Sequence, residues 1–247
     1  MNGRQRSAEG TAYAILFTIG TCHLLNDMIQ SVIPALYPLL KDKYGFTFAQ
    51  IGIITLVFQT TSSVLQPFVG QYADRHPQPY SLAAGMCFTL LGLVALAFAP
   101  GFAPILLSVA LIGCGSSVFH PEASRVAQMA SGGRKSLAQS IFQVGGNGGS
   151  AVGPLLTALI VIPFGQHAVG WFALAALVAV ALLVRIGRWY AGMIAAIRSR
   201  RAQRAAAAGT LPKATVRAAM GILVLMIFSK YFFNACMTSY FTFYLID

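Results

Sequence analysis

The sequence predicts an all-α membrane protein: a six-helix bundle followed by one helix that opens a second bundle. Three observations predict it. Of the 247 residues, 57% are hydrophobic and 9% charged, whereas soluble domains carry about 25% charged residues. Seven mostly apolar runs are of the length, roughly 20 residues, that a bilayer crossing needs. The basic residues are sorted by side of the membrane: with a cytoplasmic N-terminus, 14 of the 17 Lys and Arg fall in inner segments and only Lys41 and Lys43 in outer loops. That is a positive-inside bias. It also explains the net charge of +11 without nucleic acid as a partner.

The runs cover Tyr13 to Leu40, Ile51 to Tyr72, Tyr80 to Ala99, Pro104 to His120, Leu137 to Val161, Ala168 to Ile186 and Ala218 to Ile246. The first follows the basic segment "MNGRQRSAEG", yet it is too long for a signal-peptide core and lacks a small-residue cleavage pattern, so it is expected to stay as a helix. Six runs are joined by short loops. Then comes the basic, alanine-rich "RSRRAQRAAAAGTLPKATVR" and one more run. The expected organisation is a bundle over 1–188, a cytoplasmic linker over 189–217 that can also touch anionic headgroups, and a seventh helix over 218–247. A second bundle restarting after a linker resembles the design of two-bundle secondary transporters, so the chain is expected to be part of a longer protein. Cys22, Cys87, Cys114 and Cys236 stand alone in apolar runs, with no CxxC pair, and are expected to be buried packing residues.

Polar residues inside the runs are the functional candidates. His23, Asn26, Asp27 and Gln30 follow one another at offsets of zero, three, four and seven, which puts them on one helical face. A carboxylate at mid-membrane costs about 2.5–3.5 kcal/mol on insertion scales and is expected to face a cavity or a partner. Burial disfavours its charged form, which makes Asp27 a proton-site candidate with His23 beside it. A polar cluster that only packs helices together is the other reading. In the fourth run, Gly113 and Gly115 permit close helix approach. Pro121 is expected to let a new helix start, leaving His120 at the cytoplasmic interface. Glu122 and Arg125 lie three apart and are expected to pair on an exposed helix surface. His120, Glu122 and Arg125 together would form an inner gate or proton exit.

In the fifth run Gly145, Gly149 and Gly153 recur every four residues and precede Pro154. They form a face for close packing, and Pro154 frees a carbonyl and permits a bend. The seventh run holds Lys230 and Asn234 one turn apart. A mid-membrane lysine needs a partner or an anionic substrate; Asp27 is one candidate, with Tyr231, Phe233, Tyr240 and Phe241 as apolar walls. The histidines are scattered, and no catalytic triad, metal-ligand spacing or phosphate loop is present, so no catalytic residue, metal ligand or cofactor is expected.

"GQYADRHPQP" follows the second run and resembles the major facilitator superfamily signature GxxxDRxGRR. The resemblance implies that Asp74 and Arg75 bridge helix ends and close the cytoplasmic side, although Pro77, Gln78 and Pro79 replace the usual Gly-Arg-Arg. The glycine face ending in Gly153-Pro154 resembles the same superfamily's antiporter signature. The arginine common upstream of the GxG pair has no counterpart near Val109. The stretches "CHLLNDMIQSVIPALYPLL", "GSSVFHPEASRVAQMASGGRKSLAQSIFQVGGNGGS" and "IFSKYFFNACMTSYFTFYL" resemble the fosmidomycin resistance transporters of that superfamily over almost the whole chain. This implies a major-facilitator-type bundle in the bacterial inner membrane, a monomer when full length, that exports small anionic drugs in exchange for protons. Asp27, His23 and Glu122 would then serve proton coupling; Asn26, Gln30, Lys230 and Asn234 the substrate cavity; Asp74, Arg75, His120 and Arg125 the cytoplasmic gate. The competing readings are a proton symporter for a small metabolite and a non-transporting membrane sensor or scaffold working through its basic linker.

Overall fold

Helix α1 (Tyr13–Ala35) is continuous through the polar stripe, with Pro34 in its last turn, and a short α2 (Tyr37–Tyr44) extends it. Gly45 stops α2 with a left-handed φ of 65°, which glycine adopts without a Cβ clash. Thr47 then opens α3 (Phe48–Gln59) with a capping box: its hydroxyl accepts from Gln50 N, and the Gln50 side chain accepts from Thr47 N at 2.9 Å. A π-helical turn (Thr60–Val64) leads into α4 (Gln66–Arg75). Helices α5 (Ser81–Phe98), α6 (Phe102–Ala130) and α7 (Lys135–Leu156) follow. Beyond α7 come a second π turn (Thr157–Val161), the single turn α8 (Ile162–Phe164) and a 3₁₀ segment (Gln166–Trp171). Helix α9 (Phe172–Ala207) and helix α10 (Lys213–Tyr244) are the last of the described elements.

The computed structural model describes the backbone of residues 11–207 and 212–244, and side chains over 11–194, 212, 214–230, 232 and 233. Two compact units result, one ending at Ala195 and the other beginning at Ala196. The first contains α1 to α8 and α9 as far as Ala195.

Among the described residues, five helical spans are long and apolar enough to cross a membrane: Phe48–Arg75, Ser81–Phe98, Phe102–Ala130, Lys135–Phe164 and Gln166–Ile194. From sequence, α1 and α10 count as crossings too. The four-residue polar stripe makes α1 less apolar than its neighbours, and α10 is described only in part. The outer surface of the bundle is oily: Phe17, Leu91, Val144 and Trp171 are each at least 60% exposed. A soluble protein rarely tolerates so much exposed apolar surface, and lipid tails solvate it.

Helices α1 and α7 pack together most extensively, followed by α5 and α6. In the first pair, a Cβ on Gly145, Gly149 or Gly153 would strike the carbonyl oxygen of Gly20, Leu24 or Met28 respectively. Both series advance by four, so the two backbones touch along one ridge, as the glycine spacing predicts. Gly115 lies against the Gly85 carbonyl of α5, and Gly113 against Phe58 and Thr61. Between helices in lipid, such contact supplies the dispersion energy that hydrophobic burial cannot.

Two sequence expectations need correction. Helix α6 does not restart at Pro121; the proline lies inside one helix of 29 residues. The lost N–H bond is outweighed by packing, since α6 touches α1, α3, α4, α5 and α7. The cysteines are not uniformly buried: Cys22 is, but Cys87 and Cys114 are half-buried, and the Cys236 side chain lies outside the described residues. Buried Gln166 accepts from Lys43 Nζ at 2.8 Å and donates to Leu96 O at 2.7 Å and Ala99 O at 3.0 Å, tying α2, α5 and the 3₁₀ segment together.

Candidate functional site

The polar face of α1 is not spread through lipid but gathered against α6 and α7. Asp27 Oδ2 lies 3.2 Å from His23 Nε2, one turn earlier, and its Oδ1 lies 3.8 Å from His120 Nε2 on α6. Asn26 Nδ2 donates to Asp27 Oδ1 at 3.0 Å, and Gln30 Nε2 approaches the same oxygen at 3.4 Å. Gln30 Oε1 accepts from Ser116 Oγ at 2.9 Å, which links the α1 stripe to α6. The His23 ring stacks on Phe142 of α7 with centroids 3.9 Å apart and 14° between planes, and its Nδ1 lies 2.7 Å from the Phe142 carbonyl oxygen.

A cavity of about 270 Å³ opens beside this cluster, lined by Asp27, Gln30, Tyr37, Thr55, Gln59 and His120 among others. Gln59 immediately precedes the first π turn. Ser150, which also lines the cavity, is the residue whose carbonyl loses its helical partner because Pro154 has no N–H. Asp27 and His120 bring a carboxylate and an imidazole to this wall, and the inner His23 is only 3% exposed.

A second cluster lies at the end of α4. Arg125 Nη1 donates to Ala73 O at 2.8 Å and lies 3.0 Å from Glu122 Oε1, while Nη2 pairs with Asp74 Oδ1. Ser81 Oγ, at the start of α5, donates to Glu122 Oε2 at 3.4 Å. The Arg125–Glu122 pair thus joins α4, α5 and α6.

These positions redistribute the sequence candidates. His120, placed with the gate from sequence, stands with Asp27. Glu122, grouped with the proton residues, stands with Arg125 and Asp74. The reason is helical geometry: residues two apart point about 200° apart, so His120 and Glu122 face opposite sides of α6. The Glu122–Arg125 pair was expected on an exposed surface, yet Glu122 is fully buried. Asp74 pairs with Arg125 across the helices, and Arg75 is exposed at the end of α4. Lys230 belongs to the second unit, where it is exposed, and the Asn234 side chain lies outside the described residues. Sequence spacing missed Phe142 and Gly146: a Cβ on Gly146 would collide with the His23 ring and crowd Asp27 Oδ2. Only the neighbouring glycine run hinted at that position.

Residues 19–247 match the model of the Major Facilitator Superfamily. The chain belongs to that superfamily. It is 56% identical over 237 residues to the fosmidomycin resistance protein of Escherichia coli K12, covering 96% of this chain and 58% of that protein. It is 45% identical over 238 residues to the uncharacterized MFS-type transporter YfnC of Bacillus subtilis 168, with the same coverage of 96% and 58%. The chain therefore spans somewhat over half the length of these curated relatives. Among solved structures, a peptide transporter of the POT type with bound alafosfalin superposes with a TM-score of 0.67 at 21% identity, over 94% of this chain and 55% of that one. The POT transporter solved with sulfate gives 0.63 at 17% identity, over 97% and 50%. Likeness at that identity establishes the fold: an all-α, multi-pass membrane bundle of the major facilitator type.

Proposed function

We propose that this superfamily member is the first bundle, with the opening helix of the second, of a proton-coupled antiporter that exports small anionic drugs such as fosmidomycin. It would reside in the bacterial inner membrane with a cytoplasmic N-terminus, and act as a monomer when full length. The observation that carries the reading is Asp27, a carboxylate on the wall of the cavity with an imidazole on either side. Protonation there changes the charge facing the cavity by one unit. A charge change that interacts differently with the inward-open and outward-open states can drive the alternation between them. Asn26 and Gln30 fix the carboxylate, and Gln30, Tyr37 and Gln59 offer the occupant hydrogen bonds.

The remaining residues fit supporting parts. Arg125, with Asp74 and Glu122, holds the ends of α4 and α6 together, and breaking that contact would open the cytoplasmic side. The ridge of Gly145, Gly149 and Gly153 holds α7 on α1, and Pro154 gives α7 a place to bend. Lys230 and Asn234 remain candidates for the substrate from the second bundle, and residues 189–217 for the linker. The proton is the only coupling species invoked, with no cofactor and no catalysis.

The relative of 56% identity is named for fosmidomycin resistance, which supports export as the direction. The test uses everted membrane vesicles loaded by an imposed pH gradient. The parent protein is expected to accumulate fosmidomycin and Asp27→Asn to lose gradient-driven accumulation while retaining gradient-independent exchange. Normal uphill transport by Asp27→Asn would refute the assignment.

A further inference from the structure

The hydrogens around Asp27 are constrained by their neighbours. A carbonyl only accepts, so the 2.7 Å contact with Phe142 O puts a proton on His23 Nδ1. In the neutral ring the Nε2 lone pair then points at Asp27 Oδ2, 3.2 Å away. On the other side, His120 Nε2 lies 3.4 Å from the amide nitrogen of Gln30, whose carbonyl oxygen is already taken by Ser116 Oγ. The amide N–H is therefore the group facing His120, and His120 Nε2 is an acceptor. Two imidazole lone pairs and a carboxylate converge, with their ligand atoms all within 4.8 Å of one another. Lone pairs so placed repel unless an electrophile sits between them. A proton can bridge one pair; a divalent ion can join all three groups.

We propose that His23, Asp27 and His120 form a binding site for a divalent transition-metal ion of the zinc and cobalt class. Imidazole nitrogen selects such borderline ions, whereas magnesium and calcium take oxygen ligands. Bond lengths of about 2.0–2.2 Å put tetrahedral ligand atoms about 3.3–3.5 Å apart. His23 Nε2 lies 3.2 Å from Asp27 Oδ2, already close to that, and His120 Nε2 lies 3.8 Å from the other oxygen, Oδ1, so an ion shared by the three groups draws them in from the 4.8 Å that encloses one ligand atom of each. The Phe142 carbonyl holds the remote nitrogen of His23, as outer-shell groups do for metal-bound histidines. Three protein ligands leave an open position, as in catalytic zinc sites, and Asp27 and His120 direct it to the cavity. Metal binding stands on this geometry and not on the proposed coupling role of Asp27.

The test titrates Co²⁺ into the purified full-length protein in lipid nanodiscs. One ion per chain is expected, with visible d–d absorption that Zn²⁺ abolishes. His23→Ala and His120→Ala should each weaken binding by more than about 10-fold, the loss that even outer-shell changes produce. His120→Cys should keep the ion and add a sulfur-to-cobalt charge-transfer band, which a merely structural histidine could not yield. His76→Ala, exposed beyond α4, should bind as the parent does. No binding of Co²⁺ or Zn²⁺, or binding indifferent to both alanine variants, overturns the site, as does a His120→Cys protein that binds the ion without the sulfur band. The outcome for Asp27→Asn, read separately, decides the coupling role.

Discussion

Gly146 shows how one missing Cβ creates a site. The His23 ring occupies the space that any side chain there would fill. Gly146→Ala is expected to displace the ring from Phe142 and from Asp27, costing about 1–3 kcal/mol as overpacking does, and to reduce transport more than stability. Paired measurements of Tm and vesicle transport check this. Arg125 carries a different kind of dependence. Arg125→Ala leaves the fully buried Glu122 without its cation, and breaking a buried pair in that way costs about 3–5 kcal/mol. Glu122→Gln combined with Arg125→Met should recover most of that loss, which thermal unfolding in detergent can measure. The stripe of His23, Asn26, Asp27 and Gln30 was legible because helical period alone puts those residues on one face. His120 was not, since its contact with Gln30 crosses 90 residues of chain, and proximity to Pro121 suggested a helix end that packing overrides.

Helix pairs rather than single helices set the spacing of the bundle. Along α7 the glycines are not equivalent: a Cβ at Gly149 meets the Leu24 carbonyl, whereas one at Gly148 comes only within 3.7 Å of Leu24 Cδ1. Gly149→Ala is therefore expected to lower stability by about 1–3 kcal/mol, and Gly148→Ala to leave Tm close to the parent value. Equal effects would show that the α1–α7 ridge is not the sensitive contact. The recurrence of Gly145, Gly149 and Gly153 revealed a packing face, because small residues every four positions align on a helix. The face it meets had no such signature. Gly20, Leu24 and Met28 present backbone carbonyls, and a carbonyl leaves no mark in a side-chain pattern.

At the scale of the molecule, charge argues for an orientation and packing assembles the site. With the proposed cytoplasmic N-terminus, fourteen basic residues fall on the inner side against two on the outer, so the α6–α7 loop is expected in the cytoplasm and the α2–α3 turn outside. In a variant without native cysteines, Asp42→Cys should react with a membrane-impermeant maleimide in intact cells and Lys135→Cys only after permeabilisation; both positions are exposed. The reverse pattern would invert the topology. By itself the sequence determined the all-α membrane class, the runs, the polar stripe on α1 and the glycine face on α7, because bilayer thickness, helical period and the positive-inside bias act on residues near one another in the chain. Only the tertiary structure decided that His120 joins Asp27, that Arg125 pairs with Asp74, and that Gly146 makes room for His23. Those contacts depend on which faces of α1, α4, α6 and α7 meet, and that is set by steric fit between distant segments.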